Sequence, residues 1–202
     1  MTKSSFFSEL LEVKGVTTIV RSATSQDLVH LEVLYTLISM ANQSSASWTG
    51  EGHLIKADCI DRTSLRDIIA KDPSTLLLAF PVPCSPASPP SGNAETERPV
   101  ACINTTIKEQ VGLVSLLCVD PVWQSIGVVS ALFLTSERYF LSKGALYSTL
   151  WALHRQEDVK TWYKRLGFQR TGRIENYPNT EDTFEDECYL IEMEKSLRKM
   201  VQ

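Results

Sequence analysis

Hydrophobic positions along this chain change between the period of two typical of strands and the longer period typical of amphipathic helices. The β-branched run over residues 16–23 predicts a strand. Thr24 and Asp27 then form a capping-box pattern, and apolar residues recur at helical spacing, so a helix is predicted over residues 26–40. The apolar face of that helix consists of Leu28, Leu31, Leu34, Tyr35 and Ile38.

Polar and glycine-bearing residues dominate positions 41–60, which predicts a loop or a broken helix that is suited to line a substrate site. Asp61 or Thr63 is suited to cap a short helix after it. Asp72-Pro73 would end that helix, because proline disfavours a helical conformation in the residue before it. The apolar run at residues 75–80 then predicts a buried strand.

Residues 81–99 hold six of the nine prolines together with serine, glycine and charged residues. This composition predicts a flexible insertion. Apolar runs at residues 75–80, 100–107 and 111–119 predict three strands of an antiparallel meander. The insertion is therefore interpreted as a long hairpin loop rather than a linker between domains.

The C-terminal third continues the alternation of strands and helices. A strand is predicted over residues 145–153, a helix over 157–166, and two further strands over 167–174 and 187–195. Helices placed between strands predict a mixed α/β sheet in a single domain covering residues 16–202. Residues 1–15 are predicted to be an N-terminal arm, whose apolar side chains Phe6, Phe7, Leu10 and Leu11 share a helical face.

Composition narrows the classes of partner. The net charge of -4, from 20 Lys and Arg against 24 Asp and Glu, argues against nucleic-acid binding through phosphate contacts. Five scattered cysteines without a CxxC pair predict neither a disulfide framework nor a metal site. The N-terminus lacks a signal-peptide pattern, and no apolar run approaches the roughly 20 residues that span a bilayer. We therefore expect a cytoplasmic protein without a membrane partner.

Residues 111–144 join an apolar strand to an amphipathic helix through a short turn. The first N–H groups of a helix have no intrahelical acceptor, and together with the helix dipole they make an anion site. Gly127 lets the backbone approach a diphosphate closely, while Gln124 and Ser125 offer further N–H groups. The predicted ligand is a phosphorylated cofactor.

Two motifs resemble those of the GNAT superfamily of acyl-CoA N-acyltransferases. Gln124–Val129, which follows Val119-Asp120-Pro121, is similar to the family's pyrophosphate loop, and Thr161–Phe168 is similar to its helix-to-strand segment with an aromatic pair. The resemblance covers roughly residues 16–195. It implies a central, mostly antiparallel sheet flanked by helices, in which a splayed strand pair forms the CoA cleft.

The same resemblance implies an N-acetyltransferase that moves an acetyl group from acetyl-CoA directly to an amine of a small molecule or peptide, without a metal. Tyr163 matches the family's general acid, which protonates the departing CoA sulfur. Val129 stands where the family usually has a small residue, and Gln156 stands where it often has asparagine. The implied cofactor contacts are Leu117, Cys118, Val119, Gln124, Ser125, Ile126, Gly127, Val128, Val129 and Gln156.

The general base and the acceptor site stay open at this stage. Many family members carry a carboxylate on the strand before the loop, but Val114–Cys118 offers none. The candidates for the base are His154, Glu51, His53 or a chain of water molecules. A looser resemblance to a subgroup of small GNAT proteins implies that Trp48, Glu51 and His53 face the acceptor.

A second function class is also consistent with the sequence. The chain is then a catalytically weak or inactive CoA-binding or regulatory module that keeps the fold. Val129, Gln156 and the missing strand carboxylate favour this alternative.

Overall fold

The computed structural model describes residues 8–13, 16–43, 59–71, 75–82, 98–177 and 188–197. Within these ranges the chain forms eight strands and four α-helices. The strands are β1 Ser8–Val13, β2 Val16–Ser22, β3 Leu76–Pro81, β4 Ala101–Lys108, β5 Val111–Val119, β6 Tyr147–Leu153, β7 Gln169–Asn176 and β8 Tyr189–Ser196. The α-helices are α1 Leu31–Gln43, α2 Arg62–Ala70, α3 Val128–Ser142 and α4 Glu157–Arg165.

The helix predicted over residues 26–40 is present, but Ser25–His30 form a 3-10 helix, and α1 begins only at Leu31. The Asp27 carboxylate accepts hydrogen bonds from the Thr24 backbone N–H at 2.8 Å and from the Thr24 hydroxyl at 3.0 Å. Arg21 also donates to both oxygens of Asp27, at 2.8 and 2.7 Å. These contacts fix the junction between β2 and the 3-10 helix.

Asp61 caps α2, because its carboxylate accepts the backbone N–H of Ser64 at 2.9 Å. Of the two residues predicted for that cap, the structure selects Asp61. The helix ends at Ala70, while Asp72-Pro73 lies outside the described residues. Most of the predicted insertion, at residues 83–97, also lies outside them.

The helical face expected in the N-terminal arm is wrong for residues 8–13. These residues form β1, which pairs antiparallel with β2: Ser8 lies opposite Arg21 at one end of the pairing, and Val13 lies opposite Val16 at the other. In a strand, Leu10 and Leu11 point to opposite faces, and Leu10 is 67% exposed. Pairing with β2 satisfies the backbone groups of this segment that face β2, which outweighs its short helical pattern.

The strand order of the sheet is β1-β2-β3-β4-β5-β6-β8-β7. One compact unit comprises the described parts of residues 1–38, 60–104 and 116–136, and in it β1, β2, β3 and β4 are joined by antiparallel pairing. Buried residues in this unit come from β3 and β4 and from one side of each of three helices. The buried helix residues are Leu34, Leu37 and Ile38 of α1, Leu65 and Ile69 of α2, and Val128, Ala131, Leu132 and Phe133 of α3. This unit contains the end of β5 and the first part of α3.

The second unit comprises the described parts of residues 39–59, 105–115 and 137–202. Here β5 runs parallel to β6 over Val111–Val114 and Tyr147–Leu150, while β6 with β8 and β8 with β7 are antiparallel. The parallel pairing is short relative to both strands, as expected for a splayed pair. The mixed, mostly antiparallel sheet predicted from the sequence is confirmed.

Candidate cofactor-binding and catalytic site

A tight turn leads from β5 to the predicted pyrophosphate loop. The Asp120 carboxylate accepts the N–H of Val122 at 3.0 Å and so caps the short 3-10 helix Pro121–Trp123. Proline at the first helical position needs no acceptor, since it has no N–H. The backbone N–H of Trp123 donates to the carbonyl of Asp120 at 2.8 Å. The Asp-Pro pair therefore sets the direction in which the chain leaves β5.

The loop itself contains two residues with left-handed backbone conformations. Ser125 has a φ of 65° and Gly127 a φ of 104°. Left-handed residues turn successive backbone N–H groups toward one side, which makes an anion-binding concavity. At Gly127 a side chain would add strain, so the backbone conformation itself favours glycine at this position.

Helix α3 begins directly after Gly127. Its first intrahelical hydrogen bond joins the N–H of Ala131 to the carbonyl of Gly127 at 3.0 Å. The N–H groups of Val128, Val129 and Ser130 therefore have no acceptor in the preceding turn of the helix. The first turn of α3 carries no acidic residue, so no carboxylate of that turn would repel an anion at the start of the helix.

Val129 is half-buried at the second position of α3, and Val128 before it is buried. Both contribute backbone N–H groups to the start of the helix. Of the other predicted loop residues, Gln124 and Ile126 are half-buried, and Ser125 is exposed.

Strand β5 is irregular before it reaches the loop. Leu116 has a φ of 48°, and the alternation of buried and half-buried residues that runs from Val111 to Val114 is lost over Ser115–Leu117. A left-handed residue within a strand is the mark of a β-bulge. Bulges of this kind occur next to active sites, where they redirect backbone groups. Leu117 is half-buried, and Cys118 and Val119 are buried.

A buried lysine holds the junction between β6 and α4. Lys160 is fully buried, and its ammonium donates to the backbone carbonyl of His154 and lies 2.7 Å from the Glu157 carboxylate. The hydrogen bond from Lys160 lowers the pKa of Glu157 below its ordinary value, and Arg170 adds to this effect. Gln156 is the N-cap of α4, and its carbonyl accepts the N–H of Lys160 at 3.0 Å.

Tyr163 is buried near the end of α4. Its ring packs against Trp162 at 5.1 Å between centroids and edge-on against Phe168 at 6.1 Å. The carbonyl of Tyr163 accepts the N–H of Phe168 at 3.0 Å. The turn between α4 and β7 thus fixes the backbone of the predicted acid, and aromatic packing fixes its ring.

His154 has contacts at both ring nitrogens. Nδ1 lies 3.4 Å from the backbone N of Tyr189, and Nε2 lies 3.3 Å from Nε of Arg155. The ring also stacks on Tyr189 with 4.2 Å between centroids. A neutral imidazole has only one acceptor nitrogen, so these two donors compete for it. The contacts favour a structural role for this histidine over that of a base.

No protein-family model and no curated protein matches this chain. It is similar to the structure of the NatC complex bound to Gag peptide and CoA, with a TM-score of 0.63 and 11% identity over 89% of this chain and 98% of the other. It is similar to the ribosomal-protein-S18-alanine N-acetyltransferase from Escherichia coli, with a TM-score of 0.57 and 15% identity over 89% of this chain and 94% of the other. It is also similar to a GNAT-family acetyltransferase from Streptococcus pneumoniae, with a TM-score of 0.59 and 14% identity over 89% of this chain and 98% of the other. This chain has the GNAT fold.

The predicted loop and the end of β5 belong to one unit of the structure, and Gln156, Tyr163 and His154 belong to the other. Three predicted acceptor-side residues, Trp48, Glu51 and His53, lie outside the described residues. Among the described residues, no group of three histidine, cysteine or acidic side chains is arranged to hold a metal ion. None of the described helices is long and apolar enough to cross a membrane.

Sequence reasoning missed three features of this chain: the bulge at Leu116, the left-handed Ser125 and the buried Lys160. Leucine inside an apolar run carries no signal for a bulge. Lysine within an otherwise charged helix is expected at the surface. Only Ser125 had a local signal, since it stands two residues before a glycine in a turn.

Proposed function

We propose that this protein is an acetyl-CoA-dependent N-acetyltransferase that passes the acetyl group directly to an amine. The observation that carries the proposal is the start of α3. There a loop with left-handed Ser125 and Gly127 is followed by three N–H groups that lack an intrahelical acceptor, with no acidic side chain in the first turn. A diphosphate fits the chemistry of such donors.

The proposed cofactor contacts follow from this arrangement. The N–H groups of Val128–Ser130 donate to the pyrophosphate oxygens. Backbone groups of Leu117 and Val119, beyond the bulge of β5, pair with the amide groups of the pantetheine arm. Gln156 adds a polar contact from the start of α4. The CoA in the solved NatC complex supports the choice of an acyl-CoA ligand.

Transfer of the acetyl group replaces the C–S bond of the thioester by a C–N bond to the amine. The free amine attacks the acetyl carbonyl carbon, the new C–N bond forms, and the C–S bond breaks. Tyr163 donates its phenolic proton to the departing sulfur, since a phenol with a pKa near 10 is protonated at neutral pH. Positioning of the two reactants supplies the remaining rate enhancement.

The amine must lose a proton for this reaction. The ring contacts of His154 argue against that residue as the base. We propose that Glu51, His53 or a chain of water molecules takes the proton instead. As acceptors we propose peptide or small-molecule amines, because the similar structures include one complex with a bound peptide and one enzyme named for a ribosomal-protein alanine.

Calorimetry with acetyl-CoA followed by a thiol-release assay tests the proposal. The assay uses a panel of N-terminal peptides and small amines. Binding of acetyl-CoA together with amine-dependent release of CoA thiol is the expected result. Binding without turnover on any amine would instead favour the inactive CoA-binding module. Absence of binding would exclude both functions.

A further inference from the structure

Two buried cysteines are in contact on neighbouring strands. Sγ of Cys102 in β4 lies 3.2 Å from Sγ of Cys118 in β5. Cys102 is 0% exposed and Cys118 is 4% exposed. The thiol of Cys102 also donates to the carbonyl oxygen of Leu116 at 3.7 Å. Neither cysteine is used by the proposed transfer chemistry, so the sulfur pair calls for a separate explanation.

A regular hairpin would keep these sulfur atoms apart. The turn Glu109–Gln110 joins β4 directly to β5, so in an unbroken ladder the residue opposite Cys102 is Leu117. Cys118, as the next residue, would then point to the other face of the sheet.

The bulge in β5 changes this register. The N–H of Asp120 donates to the carbonyl of Val100 at 2.8 Å, a pairing shifted by one residue from that of the regular hairpin. The left-handed Leu116 accommodates the additional residue. As a result, Cys118 comes opposite Cys102 on the same face. The bulge therefore creates the thiol pair.

We propose that Cys102 and Cys118 form an intramolecular disulfide when the protein reacts with a hydroperoxide such as hydrogen peroxide. Residues opposite each other on antiparallel strands have Cα atoms about 4.5 to 5.5 Å apart, within the range of about 4.4 to 6.8 Å that disulfides span. The sulfur atoms need to approach by only about 1 Å to reach the bonded distance of about 2.05 Å.

The reaction proceeds in two steps that balance. The thiolate of Cys118, the more exposed of the two, attacks one peroxide oxygen; the O–O bond breaks and the leaving hydroxide becomes water by taking a proton. The product is a sulfenic acid. The sulfur of Cys102 then attacks that sulfur, the S–O bond breaks, and hydroxide leaves as a second water with the thiol proton. Two thiols are oxidised and one peroxide is reduced.

The disulfide also affects the cofactor site, an effect that rests on the proposed function. Leu117 and Val119, whose backbone groups we assign to the pantetheine arm, flank Cys118. Bond formation draws Cys118 toward β4 and removes the S–H donor that contacts the Leu116 carbonyl. We expect the oxidised protein to bind acetyl-CoA about fivefold or more weakly than the reduced protein, within the range typical of coupled sites.

Peptide mapping tests the disulfide itself. The protein carries Cys59→Ser and Cys84→Ser, because Cys84 shares the tryptic peptide 72–108 with Cys102. After treatment with hydrogen peroxide, the expected product is peptide 72–108 linked to peptide 109–138, in protein that keeps its native circular dichroism. Absence of the linked peptide in folded protein would overturn the proposal.

Cys102→Ser provides the matched control, since Cys118 then lacks its partner. Dimedone should trap Cys118 as a sulfenic acid in this variant and trap far less of it in the parent protein. Equal trapping in both proteins would overturn the role of Cys102.

Calorimetry of the reduced and oxidised parent protein with acetyl-CoA separates the two proposals. A fivefold or larger loss of affinity on oxidation supports the coupling, and equal affinity overturns it while the proposed function stands. If the linked peptide forms but reduced protein does not bind acetyl-CoA, the proposed function fails and the thiol pair stands.

Discussion

The ammonium of the fully buried Lys160 donates to the backbone carbonyl of His154, which ties the first turn of α4 to the end of β6. Replacing Lys160 by methionine keeps the length of the side chain but removes the donor. An unsatisfied buried acceptor costs about 1–3 kcal/mol. We therefore expect Lys160→Met to lower the free energy of unfolding by about that amount in urea denaturation.

Lys164→Met is the matched control, because Lys164 lies on the same helix and is exposed. Lys164→Met should change the free energy of unfolding by no more than about 0.5 kcal/mol. Equal stability of the two variants would show that the contact of Lys160 with His154 contributes nothing.

The ion pair of Arg21 with Asp27 predicts a dependence of stability on pH. Burial alone would raise the pKa of Asp27, but the hydrogen bonds from Arg21 and Thr24 hold it below the ordinary value. A carboxyl group with a lowered folded pKa stabilises the protein above its unfolded pKa, and this contribution is lost as pH falls through the folded value. Asp27→Asn should lower the free energy of unfolding by about 1–3 kcal/mol at pH 7.

That difference between Asp27→Asn and the parent protein should stay constant down to about pH 5 and shrink below about pH 4. Urea denaturation at several pH values measures it. The exposed Asp67 of α2 serves as the control, and Asp67→Asn should show no comparable loss. A difference for Asp27→Asn that grows as pH falls would contradict the assigned ion pair.

Gly127 and Gly144 offer a comparison between two glycines with positive φ, of 104° and 82°. Alanine at either position adds strain of about 1–2 kcal/mol. Gly127→Ala should also weaken acetyl-CoA binding, because it distorts the loop that precedes α3. Gly144→Ala, at the other end of α3 with open space around the new methyl group, should leave that affinity unchanged. Calorimetry that finds the same affinity in both variants would argue against the loop as the cofactor site.

Tyr163→Phe removes the proposed proton donor without changing the packing of the ring. General acids contribute about 10²- to 10⁴-fold to the rate, so turnover should fall by about that factor with little change in acetyl-CoA affinity. Tyr139→Phe, on α3 and outside the proposed machinery, is the control. Unchanged turnover in Tyr163→Phe would mean that another group protonates the CoA sulfur.

Periodicity and capping patterns predicted most of the fold, because the burial of each element follows its own apolar positions. The strands on either side of the turn Glu109–Gln110 and the helix after Gly127 are examples. The N-terminal arm was misjudged for residues 8–13, since a short segment takes its structure from the strand it pairs with rather than from local propensity.

The candidate site was predicted less completely. The loop was predicted from the strand, turn and helix around Gly127 and from the resemblance of Gln124–Val129 to the GNAT pyrophosphate loop. The contact of Cys102 with Cys118 could not be predicted, because it depends on a bulge that shifts the register between two strands. A shift of one residue reverses the face of every side chain beyond it, and no apolar pattern in β5 reveals where it occurs.

The central claim is that the start of α3 and the end of β5 bind acyl-CoA. Titration of isotope-labelled protein with acetyl-CoA, followed through assigned backbone amide resonances, tests this claim most directly. We predict the largest shifts at Val128–Ser130, with further shifts at Leu117 and Val119. Saturable binding whose shifts spare these amides, or no binding at all, would contradict the account.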